Sequence, residues 1–325
     1  MNIISNLVSL ASSTIGMVLL GLIIAVVVRL CGGAFKKTFK RLLLLAVLPC
    51  LLWSYGTLIE RNVFRVVPIE ISSSNLPQSF NGYRIVHISD LHLASFEGRN
   101  RALIRTVNKI NEQNPDLILF TGDLITISPR ELGGGLQEIL SKLKAKDGVY
   151  AILGNHDFCT YGKWQSKRAQ ADALEELKLR IRNMGWKLLS NSNVHIVRNG
   201  VDSISLIGID NISTHKHFNS YGDLGKAMKG ATGQYKILMS HDPSLWRAEI
   251  LGLSSVIDLT LSGHTHAMQF SLPGWSPSAL LFDEYRGLYT EGEQALYVNI
   301  GLGETFFTAR IGAVPEITVL NLTKK

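Results

Sequence analysis

The sequence predicts an α/β domain that follows an N-terminal membrane anchor. Two observations lead to this prediction: strand-like and helix-like patterns alternate after residue 60, and the first 60 residues are apolar apart from one basic segment. The chain has 325 residues, of which 46% are hydrophobic and 18% are charged. Because soluble domains usually have about 25% charged residues, part of the chain is expected in lipid. The apolar content excludes a disordered chain, and the three scattered cysteines exclude a disulfide scaffold.

Two apolar runs near the N-terminus predict a transmembrane hairpin. No charged side chain occurs from Asn2 to Val28, and a bilayer core of about 30 Å needs roughly 20 helical residues. A second apolar run, residues 42–59, contains Trp53 and Tyr55 near its end, and such aromatic residues favour the membrane interface. We expect spans at about 7–29 and 42–59.

These spans divide the chain into an anchor, residues 1–60, and one globular domain, residues 61–325. A cleaved signal peptide is the alternative. It is disfavoured because the first 28 residues contain no Lys or Arg and a second apolar run follows.

The positive charge of the chain is concentrated between the two apolar runs. Five of the 33 Lys and Arg residues, and none of the 26 Asp and Glu residues, lie within 1–59. Residues 60–325 therefore contain 28 basic and 26 acidic residues, a net charge of +2. The five are Arg29, Lys36, Lys37, Lys40 and Arg41. We interpret them as a short basic loop that sets membrane topology, and nucleic acid is not an expected partner. If the loop stays in the cytoplasm, the domain is extracytoplasmic.

After residue 60, short apolar runs alternate with amphipathic segments. Strand-like patterns occur at residues 64–72, 83–90, 116–123, 148–157, 187–199, 203–210, 235–242, 256–266 and 295–303, and helix-like spacing occurs at 100–113, 135–145 and 166–184. A strand–helix–strand progression implies a largely parallel sheet with helices on its faces.

Five of these strand-like runs end in clusters of Asp, His and Asn. The clusters are Asp90 with His92; Asp123; Asn155, His156 and Asp157; His241 with Asp242; and His264 with His266. A single Gly-Asp or His-Asp pair is usually only a turn. Ligand sites in parallel sheets form at the carboxyl ends of the strands, so all five clusters are expected at one edge.

The residue types in these clusters predict a metal site. Asp, Asn and His without thiolate suit Mn, Fe or Zn. In an extended segment residues i and i+2 point the same way, so Asp90 pairs with His92 and His264 with His266. Two ions about 3.5–4 Å apart, sharing one carboxylate, would use all of these ligands.

The ordered set D-x-H, G-D, G-N-H-D, H and G-H-x-H resembles the calcineurin-like metallophosphoesterase superfamily over roughly residues 64–322. The resemblance implies two mixed β-sheets sandwiched by helices and two divalent metal ions. It also implies a role for each ligand. Asp90, His92 and His266 would bind the first ion, Asp123 would bridge, and Asn155, His241 and His264 would bind the second. His156 would contact the phosphate and assist the leaving group, and Asp157 would support His156.

Within this superfamily the chain is most similar to a membrane-associated bacterial branch, the YkuE- or YaeI-like phosphoesterases. The stretches GYRIVHISDLHL, LPGW and NIGLGETFFTAR carry this resemblance. Ala267 and Met268 stand where the branch commonly has two glycines, which affects the shape of the substrate entrance.

The expected reaction is hydrolysis of a phosphodiester, possibly lipid-linked or from the cell envelope, by a hydroxide that the metal ions activate. Candidate substrate contacts are Trp275, in an apolar stretch with Leu280, Leu281 and Phe282, and Arg310. A core position for the apolar stretch and a surface position for Arg310 are the alternatives.

Two other functions remain open at this stage. One is a phosphomonoesterase or nucleotide-lipid pyrophosphatase of the same chemistry, which a cytoplasmic domain would favour. The other is a non-catalytic membrane-bound binding module, which the complete ligand set with His156 disfavours. The sequence does not indicate an oligomeric state.

Overall fold

The computed structural model describes residues 3–45, 47–253 and 256–325, and it contains two six-stranded mixed sheets that face each other. Numbered along the chain, the strands of the first sheet are, in spatial order, β1 (Arg65–Ser73), β12 (Glu316–Lys324), β2 (Tyr83–Ile88), β3 (Leu117–Phe120), β4 (Val149–Ala151) and β5 (Lys187–Leu188). Those of the second sheet are β10 (Gly287–Glu291), β11 (Gln294–Val298), β9 (Leu259–Ser262), β8 (Tyr235–Met239), β7 (Asp202–Gly208) and β6 (Ser192–Arg198). The predicted fold class is confirmed.

Both sheets are parallel where they carry the polar clusters. Strands β2, β3, β4 and β5 pair in parallel, and so do β7, β8, β9 and β11. Strand β12 lies between β1 and β2, parallel to β1 and antiparallel to β2. The sequence analysis did not identify β10 or β12, although β12 is central to the first sheet.

Alternating side chains of the sheets fill separate apolar layers. In β2, Ile85 belongs to the layer between the two sheets, whereas Val86 and Ile88 belong to the layer under the helices. Successive residues of a strand point to opposite faces. Strands covered on both faces read as continuous apolar runs, which explains the sequence pattern.

Helices cover the outer faces of both sheets. On the first sheet lie α4 (Asn100–Asn111), α5 (Leu136–Leu140) and α6 (Lys167–Asn183), and on the second lie α7 (Leu224–Met228) and α8 (Ser244–Ala248). Helix α6 begins where the Ser166 side chain accepts a hydrogen bond from Ala169 N at 3.1 Å, a typical N-cap. It buries Ala173, Leu177 and Ile181 against the first sheet.

The N-terminal region is helical: α1 (Ile3–Leu30), α2 (Phe35–Leu45) and α3 (Val47–Leu58). The interpretation of a basic loop was wrong, because Lys36, Lys37, Lys40 and Arg41 lie within α2, and the turn is at residues 31–34. The helical stretch Phe35–Asn62 is long and apolar enough to cross a membrane, by length and composition, and Thr14–Leu30 is a shorter apolar helix.

The C-terminal end of α3 packs directly on the globular domain. The rings of Trp53 and Phe307 are 5.2 Å apart between centroids. Gly56 O accepts a hydrogen bond from Arg310 N at 3.4 Å, and a Cβ at Gly56 would lie 2.7 Å from the carbonyl oxygen of Arg310. Only glycine fits such a close approach, so α3 is fixed against residues 307–310.

A buried ion pair strengthens this junction. Arg61 donates to both carboxylate oxygens of Glu304, at 2.8 and 3.1 Å, and to the carbonyl oxygen of Ser95 at 3.2 Å. Arg99 lies 3.7 Å from the same carboxylate. Removing one partner of a buried pair is costly, because the other is left unpaired.

We therefore expect Arg61→Ala to destabilise the full chain in detergent by about 2 kcal/mol, with Arg99 keeping part of the pairing. The midpoint of thermal unfolding should fall by about 4 °C. Arg101→Ala, which removes an exposed arginine of α4, is the matched control. Equal midpoints for the two variants would contradict the role of this pair.

Candidate metal centre

Three side chains from the two sheets form a first group of donor atoms. Nε2 of His266 lies 3.2 Å from Oδ1 of Asp90 and 3.1 Å from Nε2 of His92. Asp90 and His92 follow β2, and His266 follows β9. The group therefore spans both sheets, and all three side chains are buried.

A second group lies beside the first. Nε2 of His241 is 3.1 Å from Oδ2 of Asp123. Nδ1 of His264 is 3.3 Å from that same nitrogen and 3.0 Å from Oδ1 of Asn155. Asp123 follows β3, Asn155 follows β4, and His241 follows β8.

The carboxylate of Asp123 lies between the two groups. Its Oδ2 is 3.1 Å from His241 Nε2 and 3.5 Å from His92 Nε2. Ligands about 2.0–2.2 Å from one ion are separated by roughly 3–3.5 Å from each other, so these spacings suit ligands of common cations. The structure thus brings together all seven predicted metal ligands.

The backbone that presents these ligands is left-handed. The φ angles are +50° at Asp90, +40° at His92, +59° at Asp123, +72° at His264 and +50° at His266. The alternation expected for an extended segment is therefore wrong for both i, i+2 pairs, which converge through tight turns. Non-glycine residues in this region are strained and concentrate at functional sites.

Two glycines permit the close packing of these turns. A Cβ at Gly154 would overlap the carboxylate of Asp123, and a Cβ at Gly263 would overlap that of Asp90. Each glycine lies beside a carboxylate from a different loop, so any larger residue would displace the donor.

Surrounding groups orient the imidazoles. Nδ1 of His241 donates to the carbonyl oxygen of Thr121 at 2.7 Å. Nη2 of Arg310 lies 3.2 Å from Nδ1 of His266. The carboxylate of Asp242 lies 3.6 Å from Nε2 of His264. Partners on the second ring nitrogen fix the orientation of metal-binding histidines.

The protonation states also suit cation binding. Burial alone would raise the pKa of Asp90 and Asp123, but neighbouring imidazoles, chiefly His266 and His241 respectively, hold both below their usual value. Burial lowers the pKa of His92 and His264. His241 is the exception: burial is outweighed by Asp123, which raises its pKa to about 10, so this imidazole must lose a proton when it binds a metal. Ionised carboxylates and neutral imidazoles are the forms that bind metals.

His156 lies at the edge of the centre. Its Nδ1 donates to the carbonyl oxygen of Thr126 at 2.7 Å, and its ring stacks on Tyr161 with centroids 4.2 Å apart. A ring nitrogen of His156 lies within 4.8 Å of ligand atoms of His92 and Asp123. Because Nδ1 is engaged, Nε2 is the nitrogen left for chemistry.

The predicted support of His156 by Asp157 is wrong, because the Thr126 carbonyl provides it. The Asp157 carboxylate instead accepts hydrogen bonds from four backbone N–H groups. They are those of Asp123 (2.8 Å), Leu124 (2.9 Å), Ile125 (3.1 Å) and Gly154 (3.0 Å). Asp157 thereby joins the loops after β3 and β4, and so positions the Asp123 carboxylate.

The predicted substrate contacts lie elsewhere than expected. Arg310 is completely buried and donates to the carbonyl oxygens of Ile300, Gly303 and Ala313, so it faces neither solvent nor the cleft. The expected contact with phosphate and the alternative of a surface arginine are both wrong. Trp275 is exposed and is not among the residues that line the cleft beside the centre.

That cleft has a volume of about 540 Å³. Metal-centre residues line part of it, together with Thr265, Gln269 and Thr305. The other lining side chains are apolar: Phe218, Met268, Phe270, Pro277, Leu281, Phe282, Phe306 and Phe307. Sequence reasoning named Leu281 and Phe282 as apolar residues near the site but missed the other aromatic residues, which come from separate loops.

The chain is similar to known phosphoesterases. Residues 83–268 match the model of the family described as calcineurin-like phosphoesterase. The chain is 34% identical over 293 residues to a zebrafish (Danio rerio) transmembrane protein with metallophosphoesterase domain, covering 88% of this chain and 63% of that one. It is 31% identical to the metallophosphoesterase YkuE of Bacillus subtilis, covering 83% and 89%.

A third relative is named for its substrate. The UDP-2,3-diacylglucosamine pyrophosphatase LpxG of Chlamydia trachomatis is 29% identical, covering 84% of this chain and 93% of its own. The predicted superfamily and its YkuE-like branch are confirmed.

We expect Asp157→Asn to destabilise the domain by about 3 kcal/mol. The NH₂ group of the new amide would face backbone N–H groups that donate to the carboxylate in the wild type, so these donors would lose their acceptor. Thermal unfolding with a chelator present measures this without a contribution from bound metal. Asp172→Asn, on the exposed face of α6, is the control. An unchanged midpoint for Asp157→Asn would show that this carboxylate does not hold the two loops together.

Proposed function

The chain belongs to the calcineurin-like phosphoesterase family, and we propose that it is a membrane-anchored phosphodiesterase with two divalent metal ions, Mn, Fe or Zn. Family membership indicates a metal-dependent phosphoester hydrolase. The observation that carries the proposal further is the position of Asp123 Oδ2 between the two donor groups. That placement supports a shared, bridging carboxylate.

In the proposal, Asp90, His92 and His266 hold one ion, and Asn155, His241 and His264 hold the other. When bound, such ions bind phosphate oxygens and lower the pKa of water, so that hydroxide is available at neutral pH. The ligands already face one another, buried and fixed by backbone contacts, so little reorganisation accompanies binding.

His156 is the proposed acid for the leaving group. Its Nδ1 proton is directed at the Thr126 carbonyl, so the ring transfers protons through Nε2. The stacked Tyr161 ring, whose hydroxyl accepts from Asn155 Nδ2 at 2.9 Å, holds the imidazole beside the centre. A positioned imidazole of this kind contributes about 10²–10⁴ in rate.

A second candidate is a pyrophosphatase acting on a nucleotide-linked lipid. The apolar cleft beside the centre favours it, together with the 29% identity to a relative named as a UDP-2,3-diacylglucosamine pyrophosphatase. A monoesterase uses the same donor set. A non-catalytic binding module is disfavoured, because all seven donors and His156 converge.

We also propose the membrane topology. The spans predicted at about 7–29 and 42–59 form the anchor, and the domain begins near residue 61. The stretch Phe35–Asn62 starts with the basic residues of α2 and ends at the domain. If it crosses the membrane, these two ends lie on opposite sides. Because basic segments stay in the cytoplasm, the domain is extracytoplasmic.

Hydrolysis of bis-p-nitrophenyl phosphate against p-nitrophenyl phosphate tests the reaction. Metal-stripped protein resupplied with Mn²⁺ should cleave the diester faster and bind two equivalents of Mn²⁺. Asp123→Ala should lose at least one equivalent and reduce turnover by 10³-fold or more, because both groups share that carboxylate. Asp172→Ala is the control. Faster cleavage of the monoester would make the enzyme a phosphatase.

Leaving-group dependence tests His156. We expect His156→Ala to slow hydrolysis of methyl phenyl phosphate by about 10²–10⁴ and that of methyl p-nitrophenyl phosphate much less, because p-nitrophenolate leaves without a proton. His195→Ala, at an exposed histidine on β6, is the control. Equal losses on both substrates would remove His156 from leaving-group protonation.

A further inference from the structure

The cleft beside the metal centre has two chemically different sets of lining residues. Asp123, Asn155, His156, His264 and His266 belong to the metal centre. Leu281, Phe306 and Phe307 present carbon surface to the same volume of about 540 Å³, and Phe282 packs on His264 with ring centroids 5.6 Å apart. A substrate that matches both sets has an anionic phosphoester joined to a hydrocarbon chain.

We propose that this cleft takes a hydrocarbon chain of the substrate, which enters sideways from the bilayer along α3. The inference rests on the proposed phosphodiesterase function and adds to it the substrate class, an alkyl or acyl phosphodiester, and the route of entry. Three features of the molecule support it.

The first is continuity between the cleft and the anchor. Phe307 lines the cleft and contacts Trp53 of α3, with ring centroids 5.2 Å apart. Three residues along the chain, Arg310 N donates to Gly56 O. One wall of the cleft is therefore also the surface on which the anchor packs, and a chain leaving the bilayer beside α3 meets the cleft directly.

The second feature is the unusual exposure of apolar side chains at the cleft. Phe306 is 84% exposed, Leu281 55%, and the adjacent Leu280 77%. Single exposed apolar residues are ordinary, but a cluster of bulky ones marks an interaction surface. Beside a membrane helix, such residues fit the acyl region of a bilayer, as in proteins that lie at the interface.

The third feature is rigidity of the junction. The Arg61–Glu304 pair and the close approach at Gly56 fix α3 on residues 304–310. A flexible tether would let the cleft turn away from the bilayer. Here its position relative to the anchor is set by buried contacts, so the apolar rim stays near the membrane surface.

A chain-length series tests the proposal. Alkyl p-nitrophenyl phosphodiesters from methyl to octyl, used as monomers with the full chain in detergent, share one reacting group. Burial of one methylene is worth about a fourfold change in affinity. We expect kcat/KM to rise by about threefold to fourfold per methylene until the cleft is filled. A flat series would overturn the proposal.

Variants locate the effect. Phe306→Ser and Leu281→Ser should lower the ratio of octyl to methyl kcat/KM by about tenfold or more. Val201→Ser should leave it unchanged. Val201 is about as exposed (80%) as Phe306 (84%), and it lies at the turn before β7, at the opposite end of the second sheet from His241. If all three variants had the same ratio of octyl to methyl kcat/KM, the hydrocarbon chain of the substrate would bind outside this cleft.

A second measurement does not depend on turnover. Full chain reconstituted in phosphatidylcholine vesicles with a diazirine on the acyl chain should crosslink at residues 280–282 and 305–307 as well as in α3. Labelling confined to α1–α3 would overturn lateral entry. The exposed apolar surface at residues 280–282 and 305–307 would then be a binding surface for a protein partner. If residues 280–282 and 305–307 were crosslinked but methyl p-nitrophenyl phosphate did not react, the phosphodiesterase function would be refuted and lateral entry would stand.

Discussion

The candidate metal centre depends on one constraint: the ends of five strands, from two different sheets, must meet around the carboxylate of Asp123. Nε2 of His92, from the same sheet, and Nε2 of His241, from the opposite sheet, both lie within 3.5 Å of Oδ2 of Asp123. Buried charges of this kind are stable only when they are paired and hydrogen-bonded. The facing sheets bring the imidazoles to the Asp123 carboxylate. The Asp157 carboxylate accepts hydrogen bonds from the backbone N–H groups of Asp123 and Leu124, and so holds the loop after β3 in place.

Sequence reasoning predicted the elements that repeat a local pattern. Strands buried on both faces, the amphipathic helices α4 and α6, and the polar residues at strand ends all carry signals within a few residues. It failed where a role depends on distant partners. Arg310 and Asp157 look like surface or supporting residues in the sequence, yet both are buried among backbone groups from other loops.

The aromatic cleft escaped prediction for the same reason. Phe218, Phe270 and Phe306 come from three loops that only the folded chain brings together. Strand β12, which lies between β1 and β2, was also missed, although its apolar and β-branched residues carry a local strand pattern. The donor set, in contrast, was predictable, since each donor directly follows an apolar strand. Its convergence is observed, and its metal-binding role is a proposal.

The order in which the chain is synthesised gives the anchor junction a further consequence. Arg61 and Glu304 are separated by 243 residues, and β12 comes later still. During translation the anchor emerges before the segment on which it docks and before the strand that separates β1 from β2. Long-range pairings of this kind form slowly and leave apolar surface exposed meanwhile. The nascent domain therefore keeps the edges of β1 and β2 unpaired until β12 is inserted between them.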